Sequence, residues 1–188
     1  ILNILFPHSC ADCGIYGAPF CTRCLARIPP APPIVEHSFI RALFSYQHSP
    51  IKRALWRFKY ENARGFANIF APALYDEILA ELADPADALS REKYILIPIP
   101  LHKSRLRMRG YNQSALLAQE LVKCGDKTMF EYAPDTLVRI KKTAPQARSE
   151  KRAVRIENLR DAFTCCDHAR VRGRIVILID DVTTTGAT

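Results

Sequence analysis

The densest chemistry in the chain lies near its end, where Val176–Thr188 reads VILIDDVTTTGAT: an apolar run, two adjacent acids, then hydroxyls around a glycine. Open α/β sheets bind ligands outside the carboxyl ends of their strands. Thr183, Thr184, Thr185 and Thr188 offer hydroxyls, Gly186 permits close backbone approach, and the start of a following helix adds a positive dipole end. This describes a cradle for a monophosphate, and the GxxxxGK[ST] arrangement of nucleotide triphosphatases is absent. A phosphate would repel Asp180 and Asp181 unless they bound something else. Paired carboxylates suit ribose hydroxyls or a hydrated Mg²⁺. Capping of an ordinary helix would explain one of the acids, but neither the pair nor the threonines.

A second cluster sits at the other end, in Cys10-x2-Cys13-x7-Cys21-x2-Cys24. Two C-x2-C turns can put four thiolates on one tetrahedral Zn²⁺, which supplies the folding energy that so short a segment lacks. Disulfides are the alternative reading, disfavoured in a reducing compartment. Cys124, Cys165 and Cys166 have no such spacing. The metal is expected to matter to this small module and not to the rest of the chain.

Between these ends, Pro98–Gln113 (PIPLHKSRLRMRGYNQ) reads as a cation-rich loop joining a strand to a helix. Alone it would be an exposed loop as readily as a site. Taken together, however, the motifs resemble those of the competence protein F (ComF) family. Val176–Thr188 is similar to the motif with which type I phosphoribosyltransferases bind 5-phosphoribosyl-1-diphosphate (PRPP), Pro98–Gln113 resembles the family's R-x-x-x-R-G-[YF]-N-Q segment, and Leu137–Phe163 follows its R-x3-T-x2-Q and R-x2-N-x4-F spacing. The resemblance covers roughly Phe39–Thr188 and implies a type I phosphoribosyltransferase fold, a parallel sheet flanked by helices, with a small four-cysteine zinc module in front.

By the same resemblance, Asp180 and Asp181 act on the ribose, directly or through Mg²⁺, and favour the positive charge that develops at its C1. Thr183, Thr184, Thr185, Gly186, Ala187 and Thr188 would hold the 5′-phosphate. Lys103, Arg105 and Arg109 would hold the diphosphate, with Gly110 permitting a turn and Asn112 capping a helix. Arg139, Thr143, Gln146 and Arg155 would belong to a flap over PRPP. The implied activity is phosphoribosyl transfer to an acceptor the sequence does not name, in a family linked to DNA uptake. A PRPP-binding protein without catalysis, and an accessory factor touching single-stranded DNA or a competence helicase, are the other classes.

Around these motifs, Pro29-Pro30-Ala31-Pro32-Pro33 marks a boundary, giving a module and linker over 1–33 and a main domain over 34–188. His37–Tyr46 reads as a strand. Ser49 and Pro50 open a helix as cap and first residue, with Ile51, Leu55 and Phe58 on its core face and no ligand role for Trp56. A helix over Phe66–Leu82 follows, then a strand at Tyr94–Pro100, a helix at Gln113–Lys123, a strand at Thr136–Ile140 and a short helix at Ser149–Glu157. Arg174–Asp180 reads as a central strand buried on both faces.

The chain has 188 residues, 48% hydrophobic, with a formal net charge of +8. That balance suits polyanions, nucleic acid or a phosphorylated metabolite, without choosing between them. The sequence is read as lacking the interleaved aromatics of a base-stacking platform, which argues against direct contact with single-stranded DNA. No stretch approaches the roughly 20 apolar residues of a membrane span, and no secretory leader is visible, so the expected setting is cytoplasmic. The first residue is not Met and Gly186-Ala187-Thr188 falls within a turn, so both ends are expected to be cut.

Overall fold

A computed structural model describes residues 9–34, 39–82, 94–126, 128–141 and 161–183. In chain order it contains α1 (Thr22–Leu25), α2 (Ser49–Tyr60), α3 (Phe66–Glu81), β1 (Tyr94–Pro98), α4 (Lys103–Arg109) and α5 (Gln113–Lys123). There follow β2 (Phe130–Tyr132), β3 (Leu137–Arg139), β4 (Phe163–Cys165), α6 (His168–Val171) and β5 (Val176–Ile179). No described helix is long and apolar enough to cross a membrane.

Three parallel strands in the order β2-β1-β5 form the sheet that carries the site. β1 is its centre. Leu96 of this strand is buried in the main core, whereas Ile95 and Ile97 are buried with Ala133 on the opposite face. Alternate residues of a strand point to opposite faces, so the run YILIP is apolar throughout because both faces are covered. The expectation that β5 is a central strand is corrected. Among the described strands β5 lies at the edge, and Val176 and Leu178 are 37% and 54% exposed, beyond the part of that face covered over Ile95 and Ile97. A continuous β-branched run marks a strand but fixes neither its place in the sheet nor the burial of both its faces.

The main core lies on the other face, where α2 contributes Ile51, Ala54 and Phe58, α3 contributes Phe66, Ala67, Phe70 and Ala71, and α5 contributes Leu117, Ala118 and Leu121. These positions recur at helical spacing, and each helix buries one stripe. Leu55, expected with them, is only partly buried, and Trp56 faces outward. α2 begins one residue earlier than expected: His48 is its cap and Pro50 its second residue. α5 has the bounds that the sequence suggests, set by Asn112, whose side chain accepts from the Ser114 N–H.

Three expectations are corrected. The described part of His37–Tyr46 forms no strand beyond a single bridge from Phe44 to Pro30. The second strand of the parallel sheet is Phe130–Tyr132, whereas the segment expected there, Thr136–Ile140, supplies β3, which pairs antiparallel with β4 in a separate two-stranded sheet. The loop expected through His102–Arg109 is helical. His102 caps it through Nδ1 and Gly110 ends it with φ +77°, a left-handed conformation that costs glycine nothing. The expected helix at Ser149–Glu157 lies outside the described residues.

Candidate functional site

Parallel pairing aligns the carboxyl ends of β1 and β5: Pro98 is opposite Ile179, and the Ile99 N–H donates to the Ile179 carbonyl at 2.9 Å. Everything that leaves these two strands therefore emerges at one edge. From β5 come Asp180 and Asp181, and from β1 comes the α4 segment. The amino end of α5 closes on the same point, since Asn112 Nδ2 donates to the Ile99 carbonyl at 2.9 Å and Ser114 Oγ donates to Asp180 Oδ1 at 3.1 Å.

Asp180 also accepts the backbone N–H of Asp181 at 2.8 Å. Its carboxyl is raised from 3.8 to about 6, first by burial and then by the neighbouring Asp181 charge, against the pull of those donors and of Lys59. Asp181 instead meets a cation: Lys59 Nζ lies 3.0 Å from its Oδ1. Two acids, one of them desolvated, form a site that asks for positive charge, and the lysine supplies part of it.

Lys59 is held in place by its own helix end. The Phe58 carbonyl accepts from the Tyr111 hydroxyl and from Gln113 Nε2, the latter at 3.3 Å, so the last turn of α2 is bound to the start of α5. Arg109 bridges the same elements. Its guanidinium donates to Gln113 Oε1 at 3.0 Å and lies 5.2 Å from the Tyr60 ring centre. Arg105 falls one turn earlier on α4, in the same row as Arg109. Lys103 is exposed and two residues from Arg105, which turns it to another side of the helix.

Arg139, at the end of β3, is within electrostatic range of both groups. Burial chiefly lowers its pKa, the Arg105 charge adds to that, and Asp180 opposes it. Its guanidinium packs 5.2 Å from the Phe163 ring centre. The edge thus gathers Asp180, Asp181, Lys59, Ser114, Arg105, Arg109 and Arg139, with Thr183 partly buried just beyond. Thr184, Thr185, Gly186, Ala187 and Thr188, and the flap candidates Thr143, Gln146 and Arg155, lie outside the described residues. Sequence reasoning missed Lys59 and Ser114. Both sit in amphipathic helices whose dominant signal is the core stripe, and nothing local ties them to acids so far along the chain.

The four early cysteines come together as expected. Their Sγ atoms all lie within 4.8 Å of one another, with Cys13 and Cys21 3.9 Å apart. Tetrahedral zinc with Zn–S bonds of about 2.3 Å needs sulfurs roughly 3.8 Å apart, so the cluster could hold a metal such as zinc after small adjustment. Cys10 Sγ accepts the N–H groups of Cys21 and Asp12 at 3.4 and 3.5 Å. Burial raises the Cys10 thiol, but the N–H groups of Cys21, Asp12 and Cys13 outweigh it and bring the thiol down to about 6. Burial and the neighbouring thiols push Cys24 up. All seven cysteines are free thiols.

No family model matches the chain. Several curated proteins do. Competence protein F of Haemophilus influenzae is 31% identical over 187 residues, covering 97% of this chain and 75% of that protein. DNA utilization protein YhgH of Salmonella typhi is 30% identical over 95% of this chain and 73% of its own length. Competence protein ComFC of Bacillus subtilis is 28% identical over 79% of this chain, which spans about half (53%) of that relative. By this similarity over nearly its whole length, the chain belongs to the competence protein F (ComF) family.

Proposed function

We propose that the chain binds PRPP at the shared carboxyl edge of β1 and β5 and transfers its phosphoribosyl group, in the service of DNA uptake or utilisation. The observation that carries this reading is the adjacent pair Asp180 and Asp181 at the end of β5, met by Lys59 and Ser114 and faced by the cations of α4 and β3. The family's relatives are named for competence and for DNA utilization, and that supports the setting.

In this reading Asp180 and Asp181 hold the ribose hydroxyls and stabilise positive charge as the C1–O bond to diphosphate lengthens. Arg105 and Arg109 receive the departing diphosphate, Arg109 already oriented by Gln113. Lys59 keeps Asp181 paired until ligand arrives. The acid pair, with Asp180 raised by burial and by its neighbour, is a donor set suited to hard cations. Asp180 and Asp181 would hold Mg²⁺, which neutralises diphosphate charge when bound. Thr183 to Thr188 receive the 5′-phosphate, and Arg139 with the flap segment shields it. Zinc on Cys10, Cys13, Cys21 and Cys24 is structural, its thiols kept reduced in the cytoplasm.

Phosphorus NMR of PRPP with Mg²⁺ and the chain, with ammonia or free nucleobases offered as acceptors, tests the activity. Diphosphate release above the protein-free rate, lost in Asp180→Asn, is expected. Tight PRPP binding with no release under any of these conditions would make the chain a PRPP-binding protein without catalysis. A second reading, direct contact with single-stranded DNA or a competence helicase, is favoured by the +8 charge together with the relatives' names.

A further inference from the structure

Aromatics and cations on and beside α2 share one exposed row, against the expectation that the sequence lacks the interleaved aromatics of a stacking platform. Lys52, Trp56 and Tyr60 are spaced four residues apart on α2 and so lie in one row along the helix, on the side away from the buried Ile51, Ala54 and Phe58. Trp56 and Tyr60 are 55% and 56% exposed, and their ring centres are 5.9 Å apart at 46°. A cation meets a ring at each end of this row. Lys52 Nζ lies 5.8 Å from the Tyr46 ring centre, and the Arg109 guanidinium lies 5.2 Å from that of Tyr60. Tyr46 is itself 43% exposed. The surface order is therefore ring, cation, ring, ring, cation.

None of these rings serves the core. The physical use of such a row is base stacking with phosphate attraction: unpaired bases lay their faces on rings while the backbone follows the cations. A duplex hides its base faces and cannot use it, and the chain's +8 charge complements a polyanion. We infer that the outer row of α2, from Tyr46 through Lys52, Trp56 and Tyr60 to Arg109, is a stacking platform for single-stranded nucleic acid. This rests on the DNA-contact reading above; because Arg109 is shared with the proposed diphosphate site, the test is read at Trp56 and Lys52, which that site does not use.

Trp56 is the sole tryptophan, so its emission reports on the row directly. Labelled oligothymidylate, titrated at low salt, should quench Trp56 with the same midpoint as the rise in oligonucleotide anisotropy. By anisotropy, Trp56→Ala should weaken binding about tenfold, a mid-range loss for one stacked base. Trp56→Phe should recover most of it, and Lys52→Gln should reduce the salt dependence. Circular dichroism melts of the exposed variants should match the parent. Binding of oligothymidylate with no quenching and unchanged affinity in Trp56→Ala would overturn the platform while leaving DNA contact to another surface. Duplex bound as tightly as single strand would also overturn it, and failure to bind at all would sink the DNA reading with it.

Discussion

Asp180 carries its charge at a cost. Its pKa is raised above the value of an exposed aspartate, so the ligand-free fold favours the protonated acid, and that contribution to stability is lost as pH rises through about 6. Replacing it by Asn, which keeps an acceptor for Ser114 Oγ and the Asp181 N–H, should raise the melting temperature at pH 8 by the equivalent of roughly 1–2 kcal/mol. At pH 4, where the native acid is already protonated, the gain should vanish; thermal melts at the two pH values check this. The same substitution should weaken PRPP binding, the opposite effect on function. Lys59 lowers the Asp180 pKa, so Lys59→Gln should move the onset of Mg²⁺-PRPP binding to higher pH. Calorimetry across pH 5–8 reads that shift, and an unchanged profile would remove Lys59 from the site.

The elements differ in how far their residues announce them. α5 is legible because its apolar rhythm is long and its start is marked by Asn112, and α3 through its length of apolar sequence alone. α4 has no buried residue and no rhythm, only His102 before it and Gly110 after it, and those two caps are the available signal. β2 is three residues long, FEY, too short for any period to register, and what makes it a strand is its pairing with β1. Asp180 and Asp181 are visible because type and spacing alone mark them, whereas Lys59 and Ser114 reach the site only through packing. One contact between elements is tight: a Cβ on Gly125, just past α5, would come within 1.9 Å of the Tyr75 hydroxyl on α3. The Tyr75 ring meets Phe130 of β2 edge-on at 6.0 Å. Gly125→Ala should therefore cost about 1–3 kcal/mol, seen as a lower urea midpoint, and Tyr75→Phe in the same chain should recover part of it.

At the scale of the molecule, the cysteine cluster and the sheet share a core. Cys10, Ala11, Phe20 and Cys24 are buried with residues of α2 and α3, and Phe20 meets Phe70 edge-on at 6.3 Å. Arg53 and Arg57 of α2 donate to the Ala11 and Ser9 carbonyls at 2.6 and 2.5 Å. The expected independence of the metal module gives way to this geometry. Chelation should lower the melting temperature of the whole chain in one transition, because loosening the cysteines uncovers the α2–α3 core; a separate early transition would restore the independent module. Since α2 also carries Lys59 to Asp181, metal loss should weaken PRPP binding as well. The proposed PRPP site at the acidic strand end is tested most directly by a calorimetric titration of PRPP into the chain at pH 7.5, with and without Mg²⁺, alongside Asp180→Asn and Asp181→Asn. One Mg²⁺-dependent site per chain is expected, weakened at least about tenfold by either substitution, since each removes a charged contact of about 1.5–3 kcal/mol. Absence of PRPP binding with Mg²⁺ present, or affinity unchanged from the parent chain in both variants, would contradict it.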